Sequence, residues 1–306
     1  MRRCPRGRPA SLRGLERDPS GGGQPRRRRG GARPGAGRRG HAAPRGLTAV
    51  KAAFGVPRRH YRVADSTNER ARELVAAGAP SGMLVTASEQ TAGRGRRGRR
   101  WSAPAGKALL VSAILAPLRA EHALLPLAVP LAVCEAAEAV APLRCEVKWP
   151  NDVWHKGRKL AGVLIEAQPP DWAVIGIGLN VSIEPGEFPD DLRHSATSVG
   201  HGAGTEKTLE AVCDRLGEWV EAAPDRVVAE FEARDALRGR EISWTGAGGS
   251  AGEGSGVADG IDERGNLLVL TPSGERLSLG SGEVTLHVSS GSEGEDFASS
   301  GRLGPV

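Results

Sequence analysis

The sequence contains few cysteines, and they form no recognisable motif. Cys4, Cys134, Cys145 and Cys213 are far apart along the 306 residues, and no Cys-x-x-Cys pair occurs. Zinc sites and disulfide frameworks usually show tighter or more numerous spacings. We therefore expect reduced thiols and a cytoplasmic protein.

Several other signatures are missing. No apolar run approaches the length that crosses a bilayer, so we expect no membrane partner. The basic start of the chain is not followed by the apolar core of a signal peptide. Gly176-Ile177-Gly178 lacks the third glycine of a dinucleotide fingerprint, and no Walker-type phosphate loop is present. If this chain binds ATP, it uses another scaffold.

Charge is distributed unevenly. The formal net charge is +6, but residues 1–46 contain 14 of the 42 Lys+Arg and only two acidic residues, a local balance of +12 that leaves −6 for the rest. We therefore expect no nucleic-acid-binding face on the folded body. Residues 1–57 are predicted to be a disordered Arg/Gly/Pro-rich extension. Nucleic-acid contact through this extension, or a start site assigned too far upstream, remain open alternatives.

The rest of the sequence has the pattern of an α+β protein. A helix is predicted after Ser66 and Thr67, and a long Ala/Leu-rich helix from Ala120 to Val140, with Pro126 and Pro130 at bends or at its true start. Alternating apolar residues at 159–167 and 172–180 predict a central hairpin. We predict a mixed or antiparallel sheet flanked by helices, including helices at 209–222 and 227–237, and then short strands. The predicted units are residues 58–237, 238–288 and a disordered tail at 289–306.

One loop concentrates glycine and arginine. Residues 88–101 follow an apolar run at 83–85, precede the strand predicted at 107–115, and contain three glycines and five arginines. Glycine lets a ligand approach the backbone closely, and arginine offers a planar charged fork to carboxylate and phosphate. A mobile basic loop without a ligand, or an RNA-binding Arg/Gly segment, has a similar composition. Because this loop is short and tethered at both ends, we favour an anion clamp that can close.

The run Gly93-Arg94-Gly95-Arg96-Arg97-Gly98-Arg99 resembles the biotin-binding loop of biotin protein ligases. Three further segments resemble the same family in the same order: Asp65-Ser66-Thr67-Asn68, Lys148-Trp149-Pro150-Asn151-Asp152-Val153, and residues 157–166 leading to Gly176-Ile177-Gly178-Leu179-Asn180-Val181. The resemblance covers roughly residues 58–288. It implies a class II synthetase-like catalytic domain with a mixed or antiparallel sheet, and a small C-terminal SH3-like β-barrel.

The resemblance implies an activity and its partners. Biotin would react with ATP, in the presence of Mg²⁺, to give biotinyl-5′-AMP, and biotin would pass to a lysine of a biotin carboxyl carrier domain of an acyl-CoA carboxylase. Two alternatives are a lipoate protein ligase and a biotin-responsive DNA-binding repressor. No specific DNA binding is expected, because nothing before Tyr61 has helix-turn-helix periodicity. We expect a monomer or a weak homodimer, with the strand near Trp172 as a possible pairing edge.

The resemblance also assigns site residues. The biotin-binding residues would be Ser66, Thr67, Asn68, Gln90, Arg94, Gly95, Arg96 and Lys159. The ATP-binding residues would be Arg97, Arg99, Trp101, Asn151, Lys159 and Asn180, and the catalytic residues Lys159, Arg94 and Asp152. No metal site built from protein ligands is assigned, since Mg²⁺ commonly binds through few protein ligands and the phosphates.

Each assignment has a simpler structural alternative. Ser66 and Thr67 are ordinary helix-capping residues. Asn151 and Asp152 fit a common turn, and Lys159 fits a solvated strand end. The three-dimensional structure decides whether these side chains meet.

Overall fold

The predicted central hairpin is present and lies within a seven-stranded sheet. The structure, a computed structural model, describes residues 53–246, 252–280 and 282–286. The strands of the first sheet are β1 (Arg58–Tyr61), β2 (Leu84–Ala87), β3 (Ala108–Leu115), β4 (Glu146–Lys148), β5 (Asp152–His155), β6 (Arg158–Gln168) and β7 (Trp172–Asn180). Their order is β1-β2-β3-β7-β6-β5-β4. Only β1 and β2 pair in parallel, so the predicted mixed, mainly antiparallel sheet is confirmed.

The described residues form four α-helices: α1 (Thr67–Ala76), α2 (Leu125–Val140), α3 (Thr205–Trp219) and α4 (Pro224–Ala233). The first three contact this sheet, and α4 packs against α2. A short 3₁₀ turn at Ala120–Leu124 precedes α2, and Pro126 lies in the first turn of α2. Proline is tolerated there because the first amides of a helix have no partner within the helix. Pro126 therefore marks the true start of the helix, one of the two possibilities for this residue.

The prediction that no apolar segment is long enough to cross a bilayer is wrong, because one helical segment has that length. Within the described residues, Ala120–Val140 is one helical segment of sufficient length and hydropathy, and 67% of its apolar 18-residue stretch is buried inside the protein. Helix α2 packs against α3 and against β6. A helix that is apolar on all sides is typical of a buried core position.

Strand alternation separates the core from the opposite face of the sheet. Successive residues of a strand point to opposite faces. In β7, Ile175, Ile177 and Leu179 join the core formed with α2 and α3. Gly176 and Gly178 therefore lie on the other face, paired with Ser112 and Leu110 of β3. That face lacks side-chain bulk at these two glycines, which leaves room above the middle of the sheet.

A second sheet follows, with five antiparallel strands. Its strands are β8 (Glu241–Thr245), β9 (Gly254–Ile261), β10 (Leu267–Leu270), β11 (Arg276–Leu279) and β12 (Glu283–Leu286), in the order β11-β10-β9-β8-β12. The turn at residues 262–266 joins β9 to β10 as predicted. The indole Nε1 of Trp149 donates to the carbonyl of Gly265 at 3.0 Å, so this turn contacts the segment before β5.

Two expectations need adjustment. The strand beginning at Trp172 is not an edge strand, because β7 lies between β3 and β6. The chain also joins the fold before residue 58, since the Gly55 amide donates to the Gly82 carbonyl at 3.1 Å. Residues 1–52 and the tail from 289 onward lie outside the described residues, so the predictions of disorder there concern parts of the chain that the structure does not describe.

The described cysteines are free thiols. Cys134 and Cys145 are buried in the core, and Cys213 is partly buried. Burial raises the pKa of the Cys134 thiol, and it raises the pKa of Cys213 to about 11. Because a desolvated thiolate is unfavourable, these two thiols stay protonated at neutral pH.

Candidate active site

A cavity of about 350 Å³ opens above the glycine-lined face of β6 and β7. It collects side chains from α1, the arginine loop, the segment before β5, and strands β5, β6 and β7. Every site residue assigned from the sequence lines it except Arg97: Ser66, Thr67, Asn68, Gln90, Arg94, Gly95, Arg96, Arg99, Trp101, Asn151, Asp152, Lys159 and Asn180. Residues from four distant segments thus meet in one place.

The start of α1 supplies a buried polar wall. Ser66 is the N-cap residue, but no side-chain capping bond forms. The amide and the hydroxyl of Thr67 instead donate to Gln90 Oε1, at 2.7 and 3.1 Å. Ser66, Thr67 and Asn68 are 4–5% exposed. Their side chains are therefore not used to cap the helix, and those of Thr67 and Asn68 are fixed by neighbours across the cavity wall.

Two residues that sequence reasoning missed hold this wall in place. The Ser112 hydroxyl lies 2.6 Å from Asn68 Oδ1 and 2.8 Å from Thr67 Oγ1. Asn68 Nδ2 donates to Glu166 Oε2 at 2.8 Å. The available signal was polarity: Ser112 interrupts the apolar strand β3, and Glu166 follows an apolar run in β6. A polar side chain on a buried strand needs a partner, and here the partners are site residues.

Glycines in β6 and β7 make the space for the cavity. A Cβ atom at Gly176 would lie 2.1 Å from Asn68 Oδ1, and one at Gly178 would lie 2.4 Å from the Trp101 ring. At Gly162 it would lie 3.2 Å from Lys159 Nζ. Gly176 and Gly178 are therefore required by close approach of side chains, whereas a Cβ atom at Gly162 would need only a small shift of its neighbours. The Gly176-Ile177-Gly178 run serves packing, with no dinucleotide fingerprint.

We predict that Gly176→Ala weakens binding of biotin, the ligand implied by the sequence resemblance, by about tenfold or more, because displacing Asn68 breaks buried hydrogen bonds worth roughly 1–3 kcal/mol. Asn68 cannot swing aside cheaply, since Ser112 and Glu166 hold its amide from two sides. Isothermal titration calorimetry measures the effect. Gly202→Ala is the matched control, because a Cβ atom there meets nothing within 4 Å. An unchanged dissociation constant for Gly176→Ala would contradict the assignment.

Lys159 projects into the cavity beside a carboxylate and an indole. Its Nζ lies 2.8 Å from Asp152 Oδ1 and 5.8 Å from the centroid of the Trp101 ring. The backbone of Lys159 pairs with Ser195 and Thr197 through bonds of 2.7 and 2.9 Å. The residue is therefore held on both sides and is not a freely solvated strand end. A cation fixed in a cleft can stabilise an anion without first reorganising.

Trp101 has a polar atom without a partner. Its indole Nε1 is buried and makes no hydrogen bond within the part of the chain that the structure describes. A buried donor without a partner is costly, and such groups often face a ligand. The ring packs with Phe188 and Ala196, which belong to the 183–205 loop, the connection between β7 and α3. Sequence reasoning missed this loop as a wall of the cavity, because it carries no motif.

The arginines of the loop point in different directions. Arg94 Nη1 lies 3.2 Å from Glu166 and 3.3 Å from Glu69. Arg96 donates to Asn151 Oδ1 at 3.2 Å. Backbone bonds from Gly95 to Arg99 and from Trp101 to Gly93 close the loop on itself, at 2.7 and 3.0 Å. The tethered loop expected from the sequence is present, and these bonds join its two arms.

Arg97 is the assigned residue that lies outside the cavity. Its guanidinium donates to the carbonyls of Thr245 and Gly246, at the end of β8, at 3.1 and 2.5 Å. Its backbone has φ 55°, the left-handed region, which turns the side chain away from its neighbours. In this structure Arg97 ties the loop to the second sheet, and its assignment to ATP binding stays a prediction.

Asn151 and Asn180 also line the cavity, but part of each side chain is already engaged. Asn151 Nδ2 donates to the Val163 carbonyl at 2.6 Å, and Asn180 Nδ2 donates to the Thr197 carbonyl at 2.9 Å. These bonds fix both amides. Across the described ranges no group of three or more His, Cys, Asp or Glu could hold a metal ion.

Two segments of this chain match known protein families. Residues 60–180 match the model described as the biotin/lipoate A/B protein ligase family, and residues 239–286 match the biotin protein ligase C terminal domain. The chain is 34% identical over 232 residues to a biotin–[acetyl-CoA-carboxylase] ligase of Mycobacterium tuberculosis, covering 72% of this chain and 85% of that one. The second match indicates that the five-stranded sheet is the SH3-like unit expected from the sequence.

Other relatives agree. A structure titled biotin protein ligase from Aquifex aeolicus in complex with biotin and ATP superposes with a TM-score of 0.66 at 31% identity, covering 75% of this chain and 98% of that chain. The bifunctional ligase/repressor BirA of Bacillus subtilis is 40% identical over 152 residues, but the match spans only 46% of that protein and 47% of this one. With two matched family domains, a shared fold and full-length relatives above 30% identity, the chain belongs to the biotin protein ligase family.

Proposed function

We propose that this protein activates biotin with ATP to biotinyl-5′-AMP and transfers biotin to a lysine of a biotin carboxyl carrier domain of an acyl-CoA carboxylase. One observation carries the proposal: a buried polar wall for a neutral ring system and a fixed cation meet in a single cavity. Thr67, Asn68 and Gln90 form the wall, and Lys159 is the cation. A molecule with a polar bicyclic head and a carboxylate tail fits this division.

In the first step, a biotin carboxylate oxygen attacks the α-phosphorus of ATP, and the bond from that phosphorus to the bridging oxygen breaks as pyrophosphate leaves. The two reactants are both anions, so the protein must position them and offset their repulsion. Lys159 is held by Asp152, 2.8 Å away, and can stabilise charge near the carboxylate and the α-phosphate. Arg96 and Arg99 line the same cavity and would bring further positive charge to the reactants.

In the second step, the acceptor lysine amine attacks the acyl carbon of biotinyl-5′-AMP, AMP leaves, and the nitrogen loses a proton. Asp152 lines the cavity and would orient the incoming amine. Trp101 would cover the adenine, and its unpaired indole N–H offers a donor to the nucleotide. Asn151 and Asn180 would contribute further polar contacts.

Magnesium would be held largely by the substrate. Asp152 is the carboxylate that lines the cavity, and it is paired with Lys159. A hard divalent cation commonly binds triphosphate oxygens with only a few protein ligands. The residues present therefore fit an ion that would arrive with ATP and neutralise phosphate charge, and Asp152 would offer it a protein oxygen.

The decisive experiment is mass spectrometry of a carrier domain after incubation with this protein, biotin and ATP with magnesium. We expect the mass of one biotinyl group on a single lysine, with biotinyl-5′-AMP detectable when the acceptor is omitted. No adenylate and no modified acceptor would overturn the proposal. The same incubation with lipoate tests the lipoate ligase alternative, against which the match to the biotin protein ligase C terminal domain weighs. A gel shift at physiological salt, with and without residues 1–46, tests the repressor alternative.

Closure of residues 91–100 is predicted to depend on ligands. A stored acyl-adenylate would hydrolyse if water entered freely, so the loop must shield it. We expect amide hydrogen exchange of this segment to slow by about tenfold or more when biotin and ATP bind, as for a lid moving from open to closed states. Peptides from the buried strand β7 are the internal control and should not change. Equal protection of the loop with and without ligands would contradict the prediction.

The oligomeric state and the cellular location are also predictions. The outer strands of the first sheet are β1 and β4, so a weak homodimer could form only through surfaces other than β7. We propose a monomer or weak homodimer that acts in the cytoplasm.

A further inference from the structure

Glu166 contacts both the polar wall and the arginine loop, which belong to separate segments of the sequence. It lies on β6, on the same face as Gly162, and its side chain is 20% exposed. Its carboxylate contacts three groups: Asn68 Nδ2 at 2.8 Å, Arg94 Nη1 at 3.2 Å and Arg72 Nη1 at 3.4 Å. Asn68 belongs to the polar wall and Arg94 to the arginine loop. A single side chain therefore joins the wall of the cavity to its cover.

The two oxygens of Glu166 divide these contacts. Oε2 accepts from Asn68, and Oε1 faces the two guanidinium groups. On its other side, Asn68 Oδ1 lies 2.6 Å from the Ser112 hydroxyl. A carboxylate accepts only, so it fixes which end of the Asn68 amide points toward it. Glu166 thereby orients a residue of the polar wall.

The charge of Glu166 acts on the loop. Arg94 enters the cavity with carboxylates beside it, Glu166 on β6 and Glu69 on α1. Exposed ion pairs contribute little, but Glu166 is much less exposed than Arg94, whose side chain is 45% exposed, so its pair is less screened by water. Glu69 makes a similar contact with Arg94, at 3.3 Å, and it is not bonded to Asn68 in the described structure. Glu69 therefore resembles Glu166 in its pair with Arg94 but lacks the bond to Asn68.

We propose that Glu166 is a positioning residue that couples binding of the biotin ring system to closure of the arginine loop. A ligand that contacts Asn68 on the polar wall reinforces the Asn68–Glu166 bond, which holds the Glu166 carboxylate in place for Arg94, and a docked Arg94 in turn keeps Glu166 against Asn68. Such coupling is reciprocal by linkage. This inference rests on the proposed function, since it takes biotin as the ligand of the polar wall.

The test compares Glu166→Gln, Glu166→Ala and Glu69→Gln in the full chain, using loop hydrogen exchange with and without biotin alone. In the wild type, biotin should slow exchange at residues 91–100. Glu166→Gln keeps the size and an acceptor for Asn68 but removes the charge, so most of this response should be lost while biotin still binds. Glu69→Gln should keep the response. Glu166→Ala should lose the response and bind biotin about tenfold more weakly, as expected for loss of a charged hydrogen-bond partner.

A second measurement separates coupling from general stability. In a double-mutant cycle for the biotin-induced protection, Glu166→Gln and Arg94→Ala should be strongly non-additive, whereas Glu69→Gln and Arg94→Ala should be nearly additive. Glu166→Gln is close to isosteric, so it keeps the test valid if Glu166→Ala does not fold. If the wild type binds biotin and all Glu variants keep the loop response, the coupling is refuted and the proposed function stands. If the wild type does not bind biotin, both the coupling and the proposed function are refuted.

Discussion

Lys159→Ala should lower the rate of biotin adenylation by about two orders of magnitude or more, a size typical of removing a preorganised charge from a closed site. The structure provides the reason for preorganisation. Lys159 is fixed by Asp152, by the Trp101 ring, and by backbone bonds to the 183–205 loop, so its ammonium group is in place before the reactants bind. Pyrophosphate release, measured with biotin and ATP in excess, reports this step directly.

Two further lysine variants serve as comparisons for Lys159→Ala. Lys207, exposed on α3, provides a matched lysine outside the cavity, and Lys207→Ala should adenylate at the normal rate. Lys159→Arg retains the charge but moves it, so we expect a partial loss. Biotin affinity should fall less than the rate, because the lysine stabilises charge that develops in the transition state. Near-normal pyrophosphate release by Lys159→Ala would remove Lys159 from the mechanism.

Arg94→Gly should shorten the lifetime of enzyme-bound biotinyl-5′-AMP several-fold, because it removes two partly exposed ion pairs, each worth up to about 1 kcal/mol, from the loop. Arg94 pairs with Glu69 and Glu166, which lie on two different elements, so its loss frees the loop from both. The reactive intermediate would then escape and modify lysines at random. Quenched-flow release of labelled adenylate measures the lifetime, and labelling of a bystander protein measures the escape.

The matched comparison for this prediction is Arg94→Lys. It keeps a cation in reach of the carboxylates but loses the planar fork, so the lifetime should lie between the other two. Arg94→Ala separates the side chain from the added backbone freedom of glycine. An unchanged intermediate lifetime in Arg94→Gly would show that the arginine does not retain the loop, and the clamp would have to be assigned to Arg96 and Arg99.

The five arginines of the loop were treated from the sequence as one cationic group, and the structure divides them. Arg97 reaches the carbonyls at the end of β8, Arg94 reaches carboxylates, and Arg96 reaches Asn151. The direction of each guanidinium depends on the backbone angles of a short loop and on what surrounds it. Neither is encoded in a local run of Gly and Arg, so composition predicted an anion clamp but could not say which arginine faces the anion.

The sequence by itself determined the α+β fold, the central hairpin, the family and, through motifs that resemble those of that family, about half of the residues that line the cavity. These follow from local patterns: alternation every second residue specifies strands, and short motifs carry the chemistry. Only the tertiary structure decided that Ser112, Glu166 and the 183–205 loop complete the site, that β7 is an interior strand, and that Arg97 binds the second sheet. The physical reason is that these roles arise from contacts between residues far apart in sequence, whose geometry exists only once the strands have paired.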